Sequence, residues 1–150
     1  KRRPWGNPVI GIRNPAAPPL AVTSHPSGRA HSDFHCGPAY EGPAGLVHGG
    51  VVSMLLDQVL GHAVAASGLP GMTGSLTINY RQGTPLGDLR VEAWVDRRET
   101  AKIWAKGHII GPNGVTAEAE GLFIVPRALR EAVAAAEAAG KDVDVPAFFE

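Results

Sequence analysis

The chain is short of cysteine, of aromatic residues and of net charge. Its one cysteine, Cys36, excludes an internal disulfide and a cysteine-based zinc site. Such sparing use suits a reducing compartment. Fourteen basic residues balance fourteen acidic ones, so there is no electrostatic footprint for general nucleic-acid or membrane binding. Nothing long-ranged keeps copies of the chain apart either. The apolar run from Val51 to Leu60 is broken by Asp57 and is too short to span a bilayer. No apolar leader follows the "KRRP" opening, and a cytoplasmic location is the expectation. What remains is a 150-residue chain, 44% hydrophobic and 19% charged, which predicts one globular domain with a sizeable core.

Five of the thirteen prolines fall in residues 1–19, which read as an irregular arm laid over something larger. "PLAVTSH" and "RAHSDFHC" flank the turn signal "PSG" and predict a hairpin. "GPAYEGPAG" is a loop. From Gly49 to Ala66 the residues favour helix, and Gly68 and Pro70 supply the stop. Apolar side chains point in nearly every direction around that helix, which predicts burial on most sides. "MTGSLTINY", "LRVEAWVD", "KIWAKGHII" and "VTAEAEGLFIV" then alternate as strands, with Thr116, Glu118 and Glu120 expected on the outer face. Residues 127–150 are a surface helix and a tail. The plan is α+β: an antiparallel sheet that curls around one central helix.

Asp57 is the anomaly in this plan, a lone acid amid Met54, Leu55, Leu56, Val59 and Leu60. Desolvation there would raise its pKa and suit it to act as a base near neutrality. The plainer reading makes it a cap or a salt-bridge partner. At the start of the same helix the backbone amides of Gly49, Gly50 and Val51 lack helical acceptors and sit at the positive end of the dipole. Glycine lets a substrate atom approach such amides closely, and a developing oxyanion would be stabilised there. Eight residues separate Gly49 from Asp57, about 12 Å along a helix axis. Either the two features are unrelated, or a second copy of the chain brings its helix start to Asp57 of the first. The second option predicts a homodimer with two shared sites.

"YEGPAGLVHGGVVSMLLDQVLG" followed by "MTGSLTINYRQGTPLGDLRVEAWV" resembles the hotdog-fold acyl-CoA thioesterases, over roughly residues 14 to 126. The likeness is to the phenylacetyl-CoA and long-chain acyl-CoA branch with its His-Gly-Gly…Asp signature. The resemblance implies a hotdog sheet around a central helix, a homodimer that pairs into a homotetramer, and thioester hydrolysis at the dimer interface. Asp57 would then be general base or nucleophile, and Thr73 would orient water beside it. The Gly49 amide, with Gly50 in the same turn, would hold the thioester oxygen, and His48 would hydrogen-bond near the carbonyl. Many relatives carry Asn or Gln six residues before that histidine, where this chain has Gly42 beside Glu41. No metal and no bound cofactor are implied, because coenzyme A enters as part of the substrate. Arg81, Arg97, Arg98 and Lys102 are candidate partners for its phosphates, and Leu55 and Val59 for the acyl tail. The alternatives are a non-catalytic acyl-thioester binder and a hotdog enoyl-thioester hydratase or dehydratase.

Other groupings carry less. His31 and His35 share a strand face about 13 Å apart, too far to chelate one ion, and Cys36 reads as a small buried side chain. His62 reads as a polar helix residue. Ser53 lies one turn before Asp57, but no Gly-x-Ser-x-Gly elbow supports a serine nucleophile. Trp94 and Trp104 are expected as packing residues on the outer face of the sheet.

Overall fold

The computed structural model describes residues 5–143; the first four residues of the arm and the last seven of the tail lie outside them. Six strands form one antiparallel sheet: β1 (Thr23–His25), β2 (Arg29–Cys36), β3 (Met72–Tyr80), β4 (Gly87–Arg98), β5 (Lys102–Gly111) and β6 (Gly114–Ile124). Their spatial order is β1-β2-β4-β5-β6-β3. Helix α1 (Gly49–Ala66) joins β2 to β3, and α2 (Arg127–Ala138) follows the sheet. The hairpin, the long helix and the meander stand where the residue pattern puts them.

Alternation in the strands explains why the sheet closes on α1. Val91 and Ala93 of β4, Ile103, Ala105 and Ile109 of β5, and Ala119 and Phe123 of β6 are buried toward the helix. From α1, Val52, Leu55, Leu56, Val59, Leu60, Ala63 and Val64 meet them. That set repeats at three- and four-residue intervals, so α1 buries one stripe and not most of its circumference. The opposite side, with Ser53, Met54, Asp57, Gln58 and His62, is only half-buried. α1 is long and apolar enough to pass for a membrane span by composition, but its apolar stripe is spent on the sheet. Within the arm, Val9 and Ala17 are buried, and Asn7 Nδ2 donates to Gln58 Oε1 at 2.9 Å.

One outward expectation fails. Glu118 and Glu120 do face out, with Glu120 3.5 Å from Lys106 across the ladder, but Thr116 is buried. The pairing of β5 with β6 shifts between Ile109 and Ile110, and this bulge adds a residue that turns Thr116 inward. There Thr116 Oγ1 accepts a hydrogen bond from Thr84 Oγ1 at 2.8 Å. Trp94 and Trp104 lie on the outer face: Trp94 meets His108 edge-on, and the Arg97 guanidinium stacks over Trp104.

Candidate active site

His48 is the N-cap of α1. The loop before it is tightly tied. Glu41 Oε1 accepts from the Gly45 amide at 2.6 Å, the Gly42 amide donates to the Leu46 carbonyl at 2.9 Å, and the His48 amide donates to the Tyr40 carbonyl at 2.8 Å. A Cβ at position 42 would lie 2.8 Å from His48 Cα. No side chain fits there in this loop conformation, so glycine at 42 goes with the way the loop carries His48.

His48 Nδ1 accepts a hydrogen bond from the Gly50 amide at 3.0 Å. Two consequences follow. While that bond holds, the neutral ring carries its proton on Nε2. The Gly50 amide is also used up, so of the two glycine amides expected to receive an oxyanion only that of Gly49 is left without an acceptor among the described residues.

Farther along the half-buried side of α1, Asp57 Oδ1 accepts from Thr73 Oγ1 of β3 at 2.8 Å. The structure thus brings together Asp57 and Thr73, and separately His48 and Gly49, but not the two pairs. They lie two turns apart on one helix. Two cavities among the described residues lie elsewhere: about 550 Å³ beside Phe34, Leu89 and Ile110, and about 320 Å³ on the outer face beside Trp94, Lys106 and His108.

Several expected substrate contacts have other occupations. Leu55 and Val59 are both 0% exposed, sealed between α1 and the sheet, so they cannot line a channel beside Asp57. The partly buried apolar residues toward the open side are Val51 and Met54. Arg98 reaches the far end of α1, donating to the Val64 carbonyl at 3.3 Å and to Ser67 Oγ. Cations suit a helix C-terminus, and this engagement accounts for Arg98 without any ligand. Burial there lowers its pKa. Arg97 stacks on Trp104, and Arg81 is paired with Glu118 at 2.6 Å. Lys102 is exposed at the start of β5. Cys36 is buried, and desolvation pushes its thiol up, away from nucleophilic use.

Tyr80 and Ser53 are the residues that pattern reading left out of the site. Tyr80, the last residue of β3, donates through its hydroxyl to the Gly49 carbonyl at 2.7 Å, and Ser53 Oγ stands 2.8 Å from the same hydroxyl. Ser53 therefore engages the helix start, through the Tyr80 hydroxyl and the Gly49 carbonyl.

Comparison with known proteins supplies the frame. Residues 44–104 match the model of the thioesterase superfamily. The chain is 32% identical over 94 residues to acyl-coenzyme A thioesterase THEM4 of Bos taurus, an alignment spanning 61% of this chain and 38% of that protein. The Xenopus laevis THEM4 is 31% identical, with 61% and 42% covered. The chain thus spans about two fifths of the length of these curated relatives. A solved thioesterase superfamily protein superposes with a TM-score of 0.76 at 37% identity, over 80% of this chain and 60% of that one. A Streptococcus mutans protein solved with acetyl CoA bound shares the fold alone, with a TM-score of 0.67 at 19% identity over 71% and 88% of the two chains. The single curled sheet around α1 is the hotdog fold.

Proposed function

We propose that this hotdog-fold chain, whose residues 44–104 match the model of the thioesterase superfamily, is a member of that superfamily and hydrolyses acyl-CoA thioesters in two sites shared by a homodimer. The observation that carries the reading is the Thr73–Asp57 hydrogen bond on the open side of the helix whose first turn leaves the Gly49 amide without an acceptor among the described residues. One chain cannot present both to a single carbonyl, since they stand about 12 Å apart along the axis. The open edge of β3 is where a second copy fits. Among the described residues β3 pairs with β6 alone, and it carries Thr73 beside Asp57 and Tyr80 beside Gly49. Met72 and Tyr80, at its two ends, are 61% and 53% exposed. Two such edges running antiparallel would set the Asp57 of each chain toward the Gly49 of the other.

In that arrangement Asp57, held by Thr73, takes a proton from a water as the water attacks the thioester carbon. The Gly49 amide and the His48 Nε2–H stabilise the oxyanion that forms. Collapse breaks the C–S bond, and the coenzyme A thiolate leaves and takes up the proton from Asp57. No metal or bound cofactor enters the scheme.

Asp57→Asn tests it. With aryl, short-chain and long-chain acyl-CoAs, kcat should fall about 10²- to 10⁴-fold, as for loss of a general base, with substrate binding retained. Wild-type protein that hydrolyses none of the panel would sink the reading. Hydration of an enoyl ester in its place would point to the hydratase alternative.

A further inference from the structure

The turn that presents the Gly49 amide is made of two glycines, residues that lose the most backbone freedom on ordering and hold a fixed geometry poorly by themselves. Bonds from outside the helical backbone converge on it from both sides. Tyr80 donates its single hydroxyl proton to the Gly49 carbonyl at 2.7 Å. The Tyr80 oxygen is then left to accept, and Ser53 Oγ lies 2.8 Å away. Ser53 also stands 3.2 Å from the Gly49 carbonyl, the longer of its two choices. On the other side, the Gly50 amide donates to His48 Nδ1 at 3.0 Å. The carbonyl of Gly49 and the N–H of Gly50 belong to one planar amide.

We propose that Tyr80, backed by Ser53, is a positioning residue that fixes the orientation and tautomer of His48 through the Gly49–Gly50 peptide. Every donor in the line points the same way: Ser53 hydroxyl to Tyr80 oxygen, Tyr80 hydroxyl to Gly49 carbonyl, Gly50 N–H to His48 Nδ1. A hydrogen bond to a carbonyl polarises its amide and strengthens the donor at the other end, so each bond in the chain supports the next. The outcome is a His48 ring that accepts at Nδ1 and offers Nε2–H to the exterior. Neither hydroxyl touches the reacting atoms. The same clamp holds the peptide next to the Gly49 amide, across a sequence separation of 31 residues. The catalytic consequence rests on the hydrolase reading; the effect on the His48 ring does not.

Tyr80→Phe keeps the ring and removes only the donor. It should lower kcat for acyl-CoA about three- to tenfold, the effect of one hydrogen bond, with KM and melting temperature unchanged. In protein labelled with 15N-histidine, with His48 assigned by its loss in His48→Gln, the His48 ring resonances should move from the Nε2–H pattern toward a mixture of tautomers. Ser53→Ala should act in the same direction more weakly, and Ser53→Thr should restore the wild-type pattern. Unchanged His48 resonances in Tyr80→Phe overturn the proposal. So does a loss of rate that only follows a loss of melting temperature. A wild type without hydrolase activity defeats the function assigned above, and the ring resonances still decide the Tyr80 clamp.

Discussion

Gly107 of β5 lies so close to its neighbours that a Cβ there would stand 2.6 Å from the Glu92 carbonyl oxygen and 2.9 Å from Leu60 Cδ1. The carbonyl belongs to the adjacent strand and cannot yield without disturbing the ladder. Gly107→Ala should therefore destabilise the fold by about 1–3 kcal/mol, the usual cost of overpacking. Gly121 is as crowded by distance, but the nearest atom is Phe123 Cε2 at 2.7 Å, the far side of a ring that can rotate. Gly121→Ala should cost less. Urea denaturation of both variants, read at the midpoint with the slope unchanged, checks the order. Equal midpoints would mean that the β4–β5 ladder gives way as easily as a side chain. Close packing thus sets the identity of single residues here as firmly as chemistry does, and Gly42 against His48 is the instance nearest the site.

At the level of elements, α1 was legible in its bounds and obscure in its facing. Gly49, Gly68 and Pro70 mark its ends in the sequence, and the helix runs Gly49–Ala66. Its apolar residues leave no polar stripe wide enough to say which side meets the sheet, so Leu55 and Val59 read as pocket residues when they are core. The Asp57–Thr73 pair was readable through the family pattern. Arg98 at the helix C-terminus and Tyr80 at its start were not, because each contact spans more than thirty positions and has no local signal. Thr116 was misplaced because a bulge breaks the period of two. His62, on the half-buried side of α1, gives the element a pH signature. Burial lowers its pKa below the ordinary 6.5, so the unfolded chain binds that proton more readily than the folded one. Stability is then full above 6.5 and falls as pH drops below it. Denaturation midpoints at about pH 7.5 and about pH 5.5 should differ more for wild type than for His62→Gln. Identical differences would show that His62 charges freely within the fold.

For the whole molecule, the proposed reading turns on the distance between Asp57 and Gly49, about 12 Å along the helix axis, too far for one chain to bring both to one carbonyl. A shared site has a consequence that a self-contained one lacks. Asp57→Asn spoils the acid half of every site to which it contributes and leaves the amide half intact. Gly49→Val does the reverse, because its side chain blocks approach to the amide, while a Cβ at that position meets the Tyr80 hydroxyl at an ordinary contact distance of 3.5 Å. Each variant alone should be nearly inactive. Unfolded together and refolded as an equal mixture, about half of the dimers should be hybrids, and each hybrid should hold one intact site and one doubly damaged site. Activity should return to about one quarter of the wild-type value per chain. If each chain were complete in itself, mixing would restore nothing. The same experiment places Thr73: Thr73→Ala combined with Asp57→Asn in one chain should still complement Gly49→Val, because both changes damage the same half. Thr73→Ala built into the Gly49→Val chain should weaken that rescue, since the intact site then has Asp57 without its hydroxyl partner.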